Sequence, residues 1–279
     1  MKKTLLSLLL IAITFSAKSQ SYLGYTHDNY AGVQSVLFNP ASIADSRFKT
    51  DINLFSVSGT VANDLYGVRL FDVYKKGYDF DKQSIMTPAN SNNGLVNFDI
   101  MGPSFMFNIA PKHTIAVFTR ARSVTNAYNV NGSLVNEVKD GLDHASNFNF
   151  NLGNPNAVSH SWGELGVSYA AVLWQNDQHF LKGGLTAKYL QGGVNGYTQG
   201  RGVKVAFVEN KANPRASTLF SEGEVTVGAS QDFDANKDYK FDANSNGFGF
   251  DFGLVYEWRP EYKKYDLNKA TRADNNFRD

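Results

Sequence analysis

Residues Trp162 to Leu190 constrain this chain more tightly than any other stretch, because they read as two strands joined by a short polar turn. In the first strand Leu165, Val167, Tyr169, Ala171 and Leu173 share one face, and Glu164, Gly166, Ser168 and Ala170 share the other. After the turn Gln175-Asn176-Asp177-Gln178-His179, the residues Leu181, Gly183, Leu185, Ala187 and Tyr189 alternate with Lys182, Gly184, Thr186 and Lys188. With Trp174 opposite Phe180, Tyr169 faces Leu185 and the apolar faces merge into one band; a slip of one residue would mix them. Aromatic residues stand near the strand ends as Trp162, Trp174, Phe180 and Tyr189. Strands of roughly 10 residues, apolar outward and polar inward with aromatic ends, are what an outer-membrane barrel requires.

The N-terminus reads as a secretory signal peptide over residues 1–19. Lys2 and Lys3 supply the positive start, Leu5 to Phe15 the apolar stretch, and Ala17-Lys18-Ser19 the small residues before a cleavage site. That apolar stretch is too short for a spanning helix, and no later run approaches the roughly 20 residues one needs. A membrane form of this chain therefore crosses as strands, whose backbone groups are satisfied only in a closed barrel. Removal of Lys2, Lys3 and Lys18 leaves 24 basic against 26 acidic residues, a net charge of −2. Phosphate recognition needs a basic face, so nucleic acid is not the expected partner. The absence of cysteine excludes disulfides, thiolate metal sites and an N-terminal lipid anchor.

Further along, Asn39-Pro40-Ala41-Ser42 forms a turn that opens a short helix. A strand is expected from Thr50 to Val61, a turn at Asn63-Asp64, and a partner strand from Tyr66 to Tyr74, with polar sequence following to about Asn97. A second clear hairpin places Phe105, Phe107, Ile109, Ile115 and Val117 on one face across the turn at Lys112, and Ser104, Asn108, Thr114, Arg120 and Arg122 on the other. An Asn-rich stretch from Thr125 to Ser161 is expected to be a long connection. Val203 to Val208 and Leu219 to Ser230 read as weaker strands that extend above the membrane. The last strong strand sets Phe248, Phe250, Phe252, Leu254, Tyr256 and Trp258 against Gly249, Asp251, Gly253 and Glu257, and Pro260 ends it. Connections near Asn63, Lys112, Asp177 and Glu261 are expected to be short and the others long, the alternation of outer-membrane barrels.

The fold expected is all-β: an antiparallel outer-membrane β-barrel over residues 50–265, with a plug segment at 20–49 and a polar tail at 266–279. The tail has no strand pattern, so the strand around Phe252 lacks a second neighbour; the barrel is expected to be incomplete, as part of a longer protein, with closure by another chain as the alternative.

Arg120, Arg122, Glu164, Lys182 and Lys188 are the expected lumen-facing charges, with Glu164 placed diagonal to Lys188 and able to pair with it. Inward charges that satisfy one another in a wet lumen are the expectation, ahead of a pore lining. The loop Asp232 to Asn246 offers alternating oxygen ligands at Asp234, Asn236, Asp238 and Asp242, as calcium loops do. Tyr239 stands where the turn glycine belongs and Ser245 where the bidentate Glu belongs, so a solvated loop is the expectation. The five histidines show no metal spacing, and no Gly-x-Ser-x-Gly or other nucleophile motif appears; an enzyme is not expected, nor a cofactor.

Gly24-Tyr25-Thr26-His27-Asp28-Asn29-Tyr30-Ala31-Gly32, Asn39-Pro40-Ala41-Ser42-Ile43-Ala44-Asp45-Ser46-Arg47 and the segment from Gly249 to Pro260 together resemble a Bacteroidota family of outer-membrane proteins of unknown function. Some members of that family carry a C-terminal OmpA-like peptidoglycan-binding domain. The resemblance covers most of the chain and implies that a C-terminal part lies beyond Asp279. More distantly, the Asn-Pro-Ala-Ser turn (Asn39, Pro40, Ala41, Ser42) is similar to the N-terminal region of FadL-type transporters and to barrel components of type IX secretion and gliding. The FadL-like resemblance implies a luminal plug and the passage or binding of a small molecule, hydrophobic ones included. The alternatives are a non-enzymatic envelope component, linked to secretion machinery or tethered to peptidoglycan, and a secreted soluble β adhesin. The partners expected are outer-membrane lipid, a small hydrophobic ligand, and envelope or secretion-machinery proteins.

Overall fold

Period-two alternation governs the structure, a computed structural model that describes residues 30–142, 146–176, 178–213, 216–230 and 244–260. Strands β1 (Thr50–Asn53) and β2 (Ser56–Asn63) form one interrupted strand. Two-residue strands β3 (Tyr66–Gly67) and β4 (Ile85–Met86) pair with each other outside the main sheet. Then come β5 (Asn92–Met101), β6 (Ser104–Ala110), β7 (His113–Val130), β8 (Phe148–Gly153), β9 (Asn156–Gln175) and β10 (His179–Gly192). The last are β11 (Gly196–Val208), β12 (Thr218–Ala229) and β13 (Asn246–Trp258).

The main sheet is antiparallel throughout. Its wall runs β1–β2, β5–β6, β7, β9, β10, β13. The interruptions between β1 and β2 and between β5 and β6 fall at the same level, since Asn53 faces Ser104 and Ser56 faces Met101. Asn53 fills that paired break by donating from Nδ2 to the carbonyl of Gly102 at 3.0 Å.

One row across the wall shows how the sheet sorts its residues. Ile52, Phe105, Val117, Val167, Ala187 and Phe250 are successive cross-strand partners. All but Val117 are exposed. The adjacent row is Asp51, Met106, Ala116, Ser168, Thr186 and Asp251, and its middle four are buried. Large apolar side chains thus cover one face, while the enclosed face mixes polar and small residues with a few large apolar ones such as Met106.

Two 3-10 turns, Gly32–Leu37 and Pro40–Ile43, occupy that interior. The first touches β1, β6 and β7, and the second touches β7, β9, β10 and β13. In a flat sheet β1 and β13 would lie about 24 Å apart at the usual strand spacing. One short segment reaches from the first strand to the last because the wall curves around it. Val33, Val36 and Ile43 form an apolar core there with Met106, Phe118 and Phe180 of the wall. The sheet is not closed: among the described residues β1–β2 and β13 are each paired along one edge only.

The structure corrects several expectations. The partners of the first strand are β6 and β5, not Tyr66 to Tyr74, where Leu70–Val73 is a helical turn and only Tyr66–Gly67 is extended. Asn63 consequently opens a long connection, 64–91, rather than a short one. β5 begins at Asn92, so the polar sequence ends earlier than Asn97. The stretch Thr125 to Ser161 is mostly strand, since β7 runs to Val130, β8 intervenes and β9 starts at Asn156. At the β9–β10 turn Phe180 faces Gln175 rather than Trp174. A bulge at Leu181/Lys182 then restores the expected Tyr169–Leu185 pairing. The two weaker strands are present as β11 and β12, and β11 also pairs with the start of β9. The expected signal peptide, the segment 20–29 and the tail lie outside the described residues.

The ends of the wall differ. The short turns at Lys112 and Asn176 lie at one end, where the Tyr169 hydroxyl and His113 Nδ1 are 2.6 Å apart. The Tyr256 hydroxyl and His179 Nδ1 are also 2.6 Å apart, and Trp174 stacks on His179. The long connections lie at the opposite end.

Candidate functional site

The interior site begins with Asn39. Its side-chain oxygen accepts the Ala41 N–H at 2.9 Å, which caps the turn that Pro40 opens with its preset φ. Its Nδ2 donates to the Leu254 carbonyl of β13 at 3.2 Å. Two wall glycines admit this turn. A Cβ at Gly184 would stand 2.5 Å from the Pro40 carbonyl carbon, and one at Gly253 would stand 1.9 Å from Asn39 Oδ1. Ala41 is fully buried and Ser42 half-buried against this wall.

Lys182, 3% exposed, reaches from β10 to donate to the Ala44 carbonyl at 3.1 Å. Asp45 follows with φ of 63°, a left-handed turn that Asp tolerates and that sends the chain out toward β1. Burial pushes the Asp45 carboxyl up from its ordinary 3.8 to about 6, against the opposing pull of Lys182 and Arg259. On the other side of the segment Asp51 accepts the Val33 N–H at 2.8 Å, and the Gln34 amide donates to Ser56 Oγ at 2.8 Å.

Above this segment, toward the long connections, lies a group of four charges. Arg120 grips Asp99 through Nε at 2.8 Å and through a second, shorter bond from its terminal nitrogen. Arg120 also lies 3.8 Å from Glu164, directly across the β7–β9 pair. Arg122 stands 3.5 Å from Asp99 and 4.0 Å from Glu164, with its guanidinium over the Trp162 ring. Trp162 Nε1 donates to Glu164 at 2.7 Å. Two cations and two anions thus balance inside the wall, with both carboxylates buried. Such a group is held together by mutual compensation, because removing one member strands the others in a poorly solvated place.

The sequence-expected residues therefore divide. Arg120, Arg122 and Glu164 meet in one cluster, and Lys182 belongs to the plug contacts. Lys188 stands diagonal to Glu164, as expected, but pairs with Asp251 at 2.6 Å. Asp234, Asn236, Asp238 and Asp242 lie outside the described residues. Sequence reasoning missed Asp99 and Asp51; it placed Asp251 on the inner face but not as the partner of Lys188. The alternation of Phe98 and Ile100 with Asp99 and Met101 was the signal that placed Asp99 inward.

These features define an all-β wall, antiparallel and unclosed, curved about an N-terminal segment that fills its inner face. The chain belongs to a family of unknown function (DUF5723), whose model matches residues 40–271. No curated protein and no solved structure matches it.

Proposed function

We propose that this is an outer-membrane β-barrel protein, exported by a signal peptide at residues 1–19, with a lumen stopped by the segment 20–49. Passage or binding of a small molecule, hydrophobic ones included, is the role we assign to it, with displacement of the stopper as the opening step. The observation that carries this reading is the pair of adjacent rows. Ile52 to Phe250 is apolar and outward while Asp51 to Asp251 is inward and filled, as lipid outside and a plugged lumen require. Polar anchors, rather than apolar burial alone, hold the Asn39–Asp45 end of the stopper, and polar anchors can be exchanged for water when it moves.

A second reading, a static envelope component tied to secretion machinery or peptidoglycan, draws on the apolar core that Val33, Val36 and Ile43 share with the wall. One experiment separates the two. Deleting residues 24–49 from the complete protein should raise single-channel conductance in planar bilayers while β-rich circular dichroism in detergent is kept. Background conductance from an assembled deletion variant would exclude transport and leave the static role. A wild-type protein that is monomeric and folded in plain buffer would exclude the membrane reading and favour a secreted β adhesin.

A further inference from the structure

The long-connection end of the sheet holds a cleft of about 560 Å³ that the interior segment does not use. Six asparagines line it: Asn90 ahead of β5, Asn129 and Asn131 at the end of β7, and Asn149, Asn151 and Asn154 on and after β8. Among the described residues no Lys, Arg, His, Asp or Glu lines it. Its volume falls within the roughly 300–1,000 Å³ of small-ligand sites, but its lining is far more polar than such sites usually are.

Several of these amides are held in place. Asn131 Oδ1 accepts the Leu134 N–H at 2.9 Å, Asn151 Oδ1 the Gly153 N–H at 3.1 Å, and Asn154 Oδ1 the Gly202 N–H at 2.9 Å. Because each partner is a backbone donor, the oxygen is identified by chemistry, and the opposite end of each amide is an NH₂ with two hydrogens to give. Asn129 is fixed at both ends, by Ser91 Oγ at 3.0 Å and the Asn154 carbonyl at 3.3 Å. Asn90 and Asn149 are exposed and add amides of both polarities. Phe150, half-buried, stacks on Phe148, which stacks in turn on Phe207, so an apolar cluster on the opposite face of β8 holds Asn149 and Asn151 in place.

This lining rejects most ligand classes. A phosphate needs cations, a divalent metal ion needs carboxylates, and an apolar molecule would leave the amides desolvated without partners. Vicinal hydroxyls suit it, because each both donates and accepts, as the amides do. We infer that this cleft binds a neutral oligosaccharide.

The test uses the complete protein in a detergent without sugar headgroups, titrated calorimetrically with maltohexaose, cellohexaose and mannohexaose. Saturable binding of at least one is expected, unchanged between low and high salt because no charge pair is involved. The variant Asn90→Ala/Asn149→Ala alters two exposed side chains outside the turn-capping set. It should weaken that binding at least tenfold while circular dichroism is unchanged. Failure of all three sugars to bind at millimolar concentration would overturn the inference. So would equal binding by the variant, or preference for an oligogalacturonate that is lost with salt.

Discussion

Gly253 leaves the space that the side-chain oxygen of Asn39 occupies: a Cβ there would lie 1.9 Å from that atom and 2.9 Å from Pro40 Cδ. Gly184 does the same for the Pro40 backbone from the neighbouring strand. Gly253→Ala and Gly184→Ala should therefore loosen the interior turn without touching the outer band. Overpacking of this kind costs about 1–3 kcal/mol, so exposure of the turn should rise roughly tenfold. The chain has no cysteine, so Ala41→Cys gives a single reporter; its maleimide labelling should be slow in the parent and faster in either glycine variant. Unchanged labelling would mean that the turn shifts aside without undocking.

The wall's two faces predict opposite tolerance to the same side chain. Val167 is exposed in the outward row, and Val167→Arg should impair assembly in lipid by about 2–4 kcal/mol if it lies near mid-membrane. Gly249 faces inward, where a Cβ would have its nearest neighbour at 3.6 Å, so Gly249→Arg should be tolerated. Ser168 is no substitute control, because it is enclosed and its hydroxyl lies 2.7 Å from that of Thr186. Urea titration of vesicle-folded protein reads both variants, and equal losses would contradict the assignment of faces.

Arg120 compensates two buried carboxylates at once. Arg120→Met should cost about 3–5 kcal/mol, the penalty for leaving a buried charge without its partner. Arg120→Met combined with Asp99→Leu should recover much of that loss, because only one anion then remains opposite Arg122. A double variant as unstable as the sum of its parts would show that Asp99 and Arg120 are not energetically coupled.

Asp45 makes the docking of the interior segment depend on pH. Its carboxyl titrates at about 6 when docked and near 3.8 otherwise, so the docked state holds the proton more tightly. Docking is strongest below about pH 4, weakens as pH rises through 6, and is flat above. Labelling of Ala41→Cys, corrected for thiolate reactivity with a free-thiol standard, should accelerate across that window. Asp45→Asn should abolish the acceleration, and a persisting one would assign it elsewhere.

The faces of the wall were legible in the sequence because a half-buried strand repeats every two residues, and a slip of one would invert Leu165 to Leu173. The neighbours were less so. A hairpin in sequence reveals one side of a strand, whereas Glu164 lies between two strands, and its charged partner, Arg120, stands on the side the hairpin does not show. Tyr66 to Tyr74 has the aromatic and β-branched residues of a strand, yet only Tyr66–Gly67 is extended, paired with β4, and Leu70–Val73 is a helical turn. The interior turn was visible as Asn-Pro-Ala-Ser, but its sockets were not. Gly184 and Gly253 read as ordinary inward glycines until the backbone they admit is in view.

The bond from Asn39 to the Leu254 carbonyl spans 215 residues, while neighbouring wall strands are joined mostly in chain order. Sequence-adjacent pairings close early, and contacts between distant parts of a chain close late. The segment that precedes the described strands thus needs the last of them before its anchoring is complete. Its seating acts as an end-of-line inspection, passed only when all the intervening strands stand in register.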